Sequence, residues 1–245
     1  SKSCQQENTP LTVFAKNNFA FATTTNFKIE PPFHNQLSVI DIKTGKILSS
    51  IDTGGKWSKV IAITPDGKQA LVSNWKSSSI SVIDIRNPEK PLLSQVIEIQ
   101  KCPRGIAFTS NGKTAIIANF YSGNIAELQK IGSEWKLVYE SEPFDFPHFS
   151  GNPRHVLISP DNSVAYISNK GRNLIHVWSI PGREFIKSIT VGKAPNTIDY
   201  SDKTKTKILV SCSQSDRVFL VDLVSGKILG ISPQTGKNTT GMCRL

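Results

Sequence analysis

Three cations recur at one place in this 245-residue chain. Lys59, Arg104 and Arg154 each stand at the start of an apolar run, and Asn196 holds the equivalent place in a fourth run. Lysine and arginine bind carboxylates and phosphates, arginine through two parallel N–H···O contacts. The next apolar run in each case ends on an amide, at Asn74, Asn119 and Asn169, with Cys212 at the fourth such end. Trp75, Phe120 and Tyr121 follow these ends directly. Cations, amides and aromatic rings that converge on one mouth suit an acidic peptide or a small anion. The competing explanation is architectural: a repeat reuses residues because every unit needs them, and asparagine at a strand end satisfies a turn.

Other residues could do chemistry. His34, His148 and His155, three of the four histidines, are metal-ligand types, but nothing fixes their spacing, and no metal is expected. No nucleophile elbow, P-loop or dinucleotide fingerprint occurs, so no catalytic residue and no cofactor are expected. Two longer connections are rich in phenylalanine. One contributes Phe27, Phe33 and His34; the other contributes Phe144, Phe146, His148 and Phe149. Exposed aromatic clusters mark contact surfaces. The four cysteines are Cys4, Cys102, Cys212 and Cys243. Cys4 could carry a lipid, pair with Cys243 or stay free; Cys102 and Cys212 read as buried thiols.

These residues are positioned by a repeat. A strand-like anchor, Leu37-Ser-Val-Ile-Asp, returns as Ile80-Ser-Val-Ile-Asp and, more weakly, from Ile125, Leu174 and Val218. The five anchors are 43, 45, 49 and 44 residues apart. Two apolar runs joined by a tight turn precede them, as in Val60-Ile-Ala-Ile-Thr-Pro-Asp-Gly-Lys. The turn residues supply preset or positive φ. A period of 40–50 residues with four short strands per unit is the signature of a β-propeller. The segment from Ile125 to Ile131 could pass for a helix alone, but its place in the repeat predicts a strand.

The Pro-Asp-Gly-Lys turn, the strand ending Ser-Asn or Ala-Asn and the Ser-Val-Ile-Asp anchor resemble the YVTN-type β-propeller repeat. That resemblance implies an exported protein, in the periplasm or at the cell surface and possible as a lipid-anchored form. It specifies the fold and is silent on a site. The expected organisation is a tail over 1–10 and units over 11–54, 57–100, 101–149, 152–192 and 193–236, with a partial sixth unit over 237–245. The termini either close the ring or belong to a seven-bladed propeller cut short. The chain opens Ser-Lys-Ser-Cys without an initiator methionine, so an N-terminal segment is expected to have been removed or never built, and any signal peptide would not be visible here.

The 29 Lys and Arg against 19 Asp and Glu give a net charge of +10. Most of the lysines are expected on the turns opposite the cationic mouth, where they solubilise or meet an anionic membrane surface. Aromatics are not interleaved with them as nucleic-acid binding requires. The expected function is a non-catalytic scaffold for a protein or other acidic macromolecule, bound through the mouth and its loops. The alternative comes from Gly-Asn-Pro-Arg154-His155-Val followed by Tyr166, which is similar to a stretch of propeller lactonases. Those enzymes carry an acid after the second strand; here Asn169-Lys170-Gly171 stands there.

Overall fold

The computed structural model describes residues 9–25, 35–144 and 151–238. Among these residues every regular element is a strand, grouped in five four-stranded antiparallel sheets whose strands follow chain order. The first blade holds β1 (Thr9–Lys16), β2 (Phe19–Thr25), β3 (Asn35–Asp41) and β4 (Ile47–Asp52). The second holds β5 (Ser58–Ile63), β6 (Gln69–Asn74), β7 (Ser79–Asp84) and β8 (Leu92–Glu98). The third holds β9 (Pro103–Phe108), β10 (Thr114–Asn119), β11 (Asn124–Ile131) and β12 (Glu134–Glu140). The fourth holds β13 (Pro153–Ile158), β14 (Val164–Asn169), β15 (Leu174–Ser179) and β16 (Glu184–Thr190). The fifth holds β17 (Pro195–Tyr200), β18 (Lys207–Cys212), β19 (Arg217–Asp222) and β20 (Ile228–Ile231). The stretch that could have passed for a helix is β11, a strand.

Strand burial follows the sequence pattern. The continuous apolar runs of β6 and β10 are buried on both faces, whereas the alternating β8 only half-buries every second residue. The first turn of the second, third and fourth blades is a built device. In the second blade the Thr64 hydroxyl donates to Asp66 Oδ1 (2.6 Å), which also accepts the Lys68 N–H (3.0 Å). Thr109 and Asn111 repeat this in the third blade, and Ser159 and Asp161 in the fourth. Each turn then passes through left-handed backbone, at Gly67 (φ 75°), Gly112 (φ 66°) and Asn162 (φ 61°). That region is nearly free for glycine and tolerable for asparagine.

The chain divides into two compact units. One comprises Ser1–Thr114 with Leu128–Val138, the other Ala115–Glu127 with Tyr139–Leu245, so the third blade contributes to both. In the first unit, Phe21, Leu37, Val39, Ile61, Val72 and Ile83 form a core from the facing sides of the first and second blades. Trp135 is also buried in this unit; its Nε1–H donates to Gln69 and its backbone exchanges two hydrogen bonds with the Gln95 amide. In the second unit, Ile175, Val177, Ile198, Ile208, Val210 and Val221 do the same for the fourth and fifth blades. Each such side chain stabilises its unit by roughly 1.5–3 kcal/mol relative to exposure. Among the described residues no helix is long and apolar enough to cross a membrane.

Candidate functional site

The repeat positions fall where the sequence put them. Lys59, Arg104, Arg154 and Asn196 are the second residues of β5, β9, β13 and β17. Asn74, Asn119, Asn169 and Cys212 close β6, β10, β14 and β18.

In the first unit two of the cations come together on one ring. Lys59 Nζ lies 4.1 Å from the Trp75 ring centre and 4.8 Å from that of Trp57. The Arg104 guanidinium lies 5.5 Å from Trp75. The two indoles meet edge-to-face, 6.5 Å apart at 74°. Cation–π contact of this kind fixes flexible side chains without neutralising them.

The backbone around the cluster is held tightly. Trp57 enters β5 in left-handed conformation (φ 62°), costly for a bulky residue. The Asn35 side chain accepts its N–H at 2.8 Å, and Trp57 in turn accepts the Trp75 N–H at 3.0 Å. Gly55 closes this entry loop because a Cβ there would lie 2.1 Å from Asn74 Cγ. Cys102 leads into β9 with the same backbone twist (φ 61°). Burial pushes its thiol pKa up, against the pull of Lys59 and Lys101 nearby. The local field is therefore positive, and the half-buried Lys59 and Arg104 suit an anion resting against indole faces.

The second unit uses the matching positions differently. Arg154 is partly buried, which lowers its pKa, yet a guanidinium stays charged. The neighbouring His155 accepts the Ile198 N–H at Nδ1 (3.3 Å), so the neutral ring carries its proton on Nε2 and has no free lone pair. The Phe120 carbonyl accepts from the Asn152 amide. Phe144 stacks on His176 with ring centres 4.5 Å apart and meets Trp178 edge-on.

Three expected ligand contacts need correction. Asn74, Asn119 and Asn169 are completely buried, so they do not face a mouth. Asn74 accepts from the Ser58 hydroxyl and donates to Ser79 and Ser81; Asn119 donates to Asn124; Asn169 bonds His176 and accepts the Arg172 N–H. They hold strand ends together. Phe144 is likewise half-buried rather than displayed. Phe146, His148 and Phe149 lie outside the described residues, as do Phe27, Phe33, His34, Cys4 and Cys243. Among the described residues no group of three or more His, Cys, Asp or Glu could hold a metal. The Cys212 thiol is fully buried, with its pKa pushed up to about 12 by that burial. On the opposite turns, Lys16 is structural: its Nζ donates to the Thr64 and Pro65 carbonyls.

Trp57 went unnoticed in the sequence. Its signal is positional: the other blades place Cys102, Asn152 and Ala194 at this left-handed entry.

Five such sheets define the chain as a β-propeller protein. A family model described as lactonase, seven-bladed β-propeller, matches residues 33–149. Antigen Lp49 of Leptospira interrogans is 30% identical over 200 residues, covering 80% of this chain and 42% of that protein. The chain thus spans less than half the length of this curated relative. Two solved structures share the fold. A protein from Lactobacillus plantarum superposes with a TM-score of 0.78 at 20% identity, over 94% of this chain and 73% of that one. The periplasmic gluconolactonase of Pseudomonas aeruginosa gives 0.69 at 18% identity, over 89% and 68%.

Proposed function

We propose that this chain belongs to a lactonase-type propeller that binds an anionic sugar lactone at Trp57, Lys59, Trp75 and Arg104. The reading rests on that cluster, two cations seated on one indole within the segment that the lactonase family model matches. Arg104 would take a carboxylate, phosphate or lactone carbonyl oxygen, and the indoles would take the apolar face of the sugar ring. Opening the lactone adds water to the carbonyl carbon and breaks the ring C–O bond, leaving a hydroxy acid. A cation beside the carbonyl oxygen stabilises the charge that develops there. His155, with its Nδ1 occupied, is a hydrogen-bond donor in this scheme and not the base.

The test is acid release from gluconolactone and its 6-phosphate, followed by pH-stat. Replacing Lys59 and Arg104 together by Ala should lower kcat/KM at least 100-fold with an unchanged melting temperature. No turnover by the wild-type chain, or full turnover by the double variant, would overturn the reading.

A second reading has its own support. The same cations and indoles suit an acidic peptide, and the 30% identical relative is named as an antigen rather than as an enzyme. The protein would then be a non-catalytic scaffold, exported to the periplasm or cell surface, with a protein or acidic macromolecule as partner. Saturable binding of a poly-glutamate peptide, lost in the double variant and without any lactone turnover, would favour it.

A further inference from the structure

The second unit carries a groove of about 300 Å³ lined by Tyr139, Phe144, Trp178, Phe185, Arg183 and the carboxylates of Glu142 and Glu184. It is distinct from the cation cluster, and two departures from the blade repeat converge on it. Backbone pairing aligns the β15–β16 turn with its counterparts: Ser179 faces Glu184 as Asp222 and Asp41 face Lys227 and Lys46. Arg183 therefore stands where the first and fifth blades place Gly45 and Gly226, both at φ 69°. Arg183 adopts this left-handed conformation as well (φ 51°), at a cost of roughly 1–2 kcal/mol for a residue with a Cβ.

Its partner departs too. The bond from Lys130 N–H to the Lys113 carbonyl matches that from Ile85 to Lys68 and from Ile180 to Ser163. Three residues earlier the repeat has Val82 and Val177; here it has Glu127, only 4% exposed. The Arg183 guanidinium forks onto that carboxylate at 3.0 and 3.3 Å and lies 5.2 Å over the Tyr139 ring. An apolar slot and a glycine slot have both been given up for one ion pair, although an apolar pair of equal volume is usually no less stable.

With Arg183 offset by Glu127, the exposed Glu142 and Glu184 leave the groove acidic on a chain of net charge +10. Its wall carries the rings of Tyr139, Trp178 (6.3 Å from Tyr139), Phe144 and the half-exposed Phe185, with the buried His176 packed behind Phe144 and Phe185. Aromatic faces beside carboxylates select cations. We infer that this groove binds a basic, extended segment of a partner protein, whose Lys or Arg side chain lies between Phe185 and the two carboxylates.

The experiment uses the full chain and a capped Gly-Arg-Gly-Arg-Gly peptide, followed by calorimetry and tryptophan fluorescence. Saturable binding is expected, weakened at least tenfold in the E142Q/E184Q variant and at least fivefold in F185S. The K59A/R104A variant should bind the peptide as the wild type does, which separates this site from the lactone reading. Equal binding of the Gly-Glu-Gly-Glu-Gly peptide, binding indifferent to all three groove changes, saccharide binding in place of the peptide, or no saturable binding would each overturn the proposal.

Discussion

The first and second units place the same repeat positions at the same strand ends, yet use them for different chemistry. In the first, Asn74 is satisfied by three serine hydroxyls, and the ring that follows it, Trp75, is left to gather Lys59 and Arg104. In the second, Asn169 is engaged with His176, which also bonds Ser188 and lies under Phe144. The strand end fixes where a side chain starts. The residue beneath it differs: Ser81 in one blade bonds the amide and carries no ring, whereas His176 in the other bonds the amide and stacks against Phe144.

The strongest way to break this contrast is to restore the repeat in the second unit. Replacing Arg183 by Ala strands the buried Glu127 and should cost about 3 kcal/mol, read as a lower denaturation midpoint with an unchanged slope. Removing both departures, Glu127→Val with Arg183→Gly, should recover most of that loss, because the valine fills the slot that Val82 and Val177 fill elsewhere and the glycine relieves the backbone. If the double variant is as unstable as the single one, Glu127 and Arg183 are not a matched substitution of the repeat.

A smaller effect separates the two amides. Asn74→Ala leaves the Ser58, Ser79 and Ser81 hydroxyls to find other partners and should cost about 2 kcal/mol; Asn169→Ala should cost about 1 kcal/mol, since His176 keeps Ser188. Thermal or urea unfolding of the two variants side by side checks the order. The reverse order would mean that the His176 network, not the serine network, is the tighter of the two.

The fold was legible because a blade is a local object: its turn residues, apolar runs and period all lie within about 45 residues. For the same reason Lys59, Arg104 and Arg154 could be placed to the residue. What one blade's pattern does not carry is the use of a position by the next blade. The asparagines looked like mouth residues because the repeat gives their place and not their orientation. Glu127 and Arg183 are 56 residues apart and stand out only when each is compared with its equivalents in other blades. His34, His148 and His155 drew attention as metal-ligand types, while His176, passed over inside the apolar strand β15, proved to be the residue on which Phe144 stacks.

The smallest effect contrasts two turns that differ by one charge. Asn111 and Asp161 accept the same pair of hydrogen bonds in the third and fourth blades. Asn111 does so at any pH. Asp161 does so as a carboxylate, whose pKa is held at about 2, chiefly by the Ser159 hydroxyl and then by the Ser163 N–H and hydroxyl. The folded value lies below the unfolded value of about 3.9, so this contribution is complete above that pH and is lost as the pH falls through 2. Asp161→Asn should therefore leave the urea midpoint at pH 7 near that of the wild type and make its fall between pH 4 and pH 2 shallower. Parallel acid limbs for the two proteins would show that the Asp161 carboxylate does not hold the turn, and that the Ser-Pro-Asp-Asn backbone alone suffices.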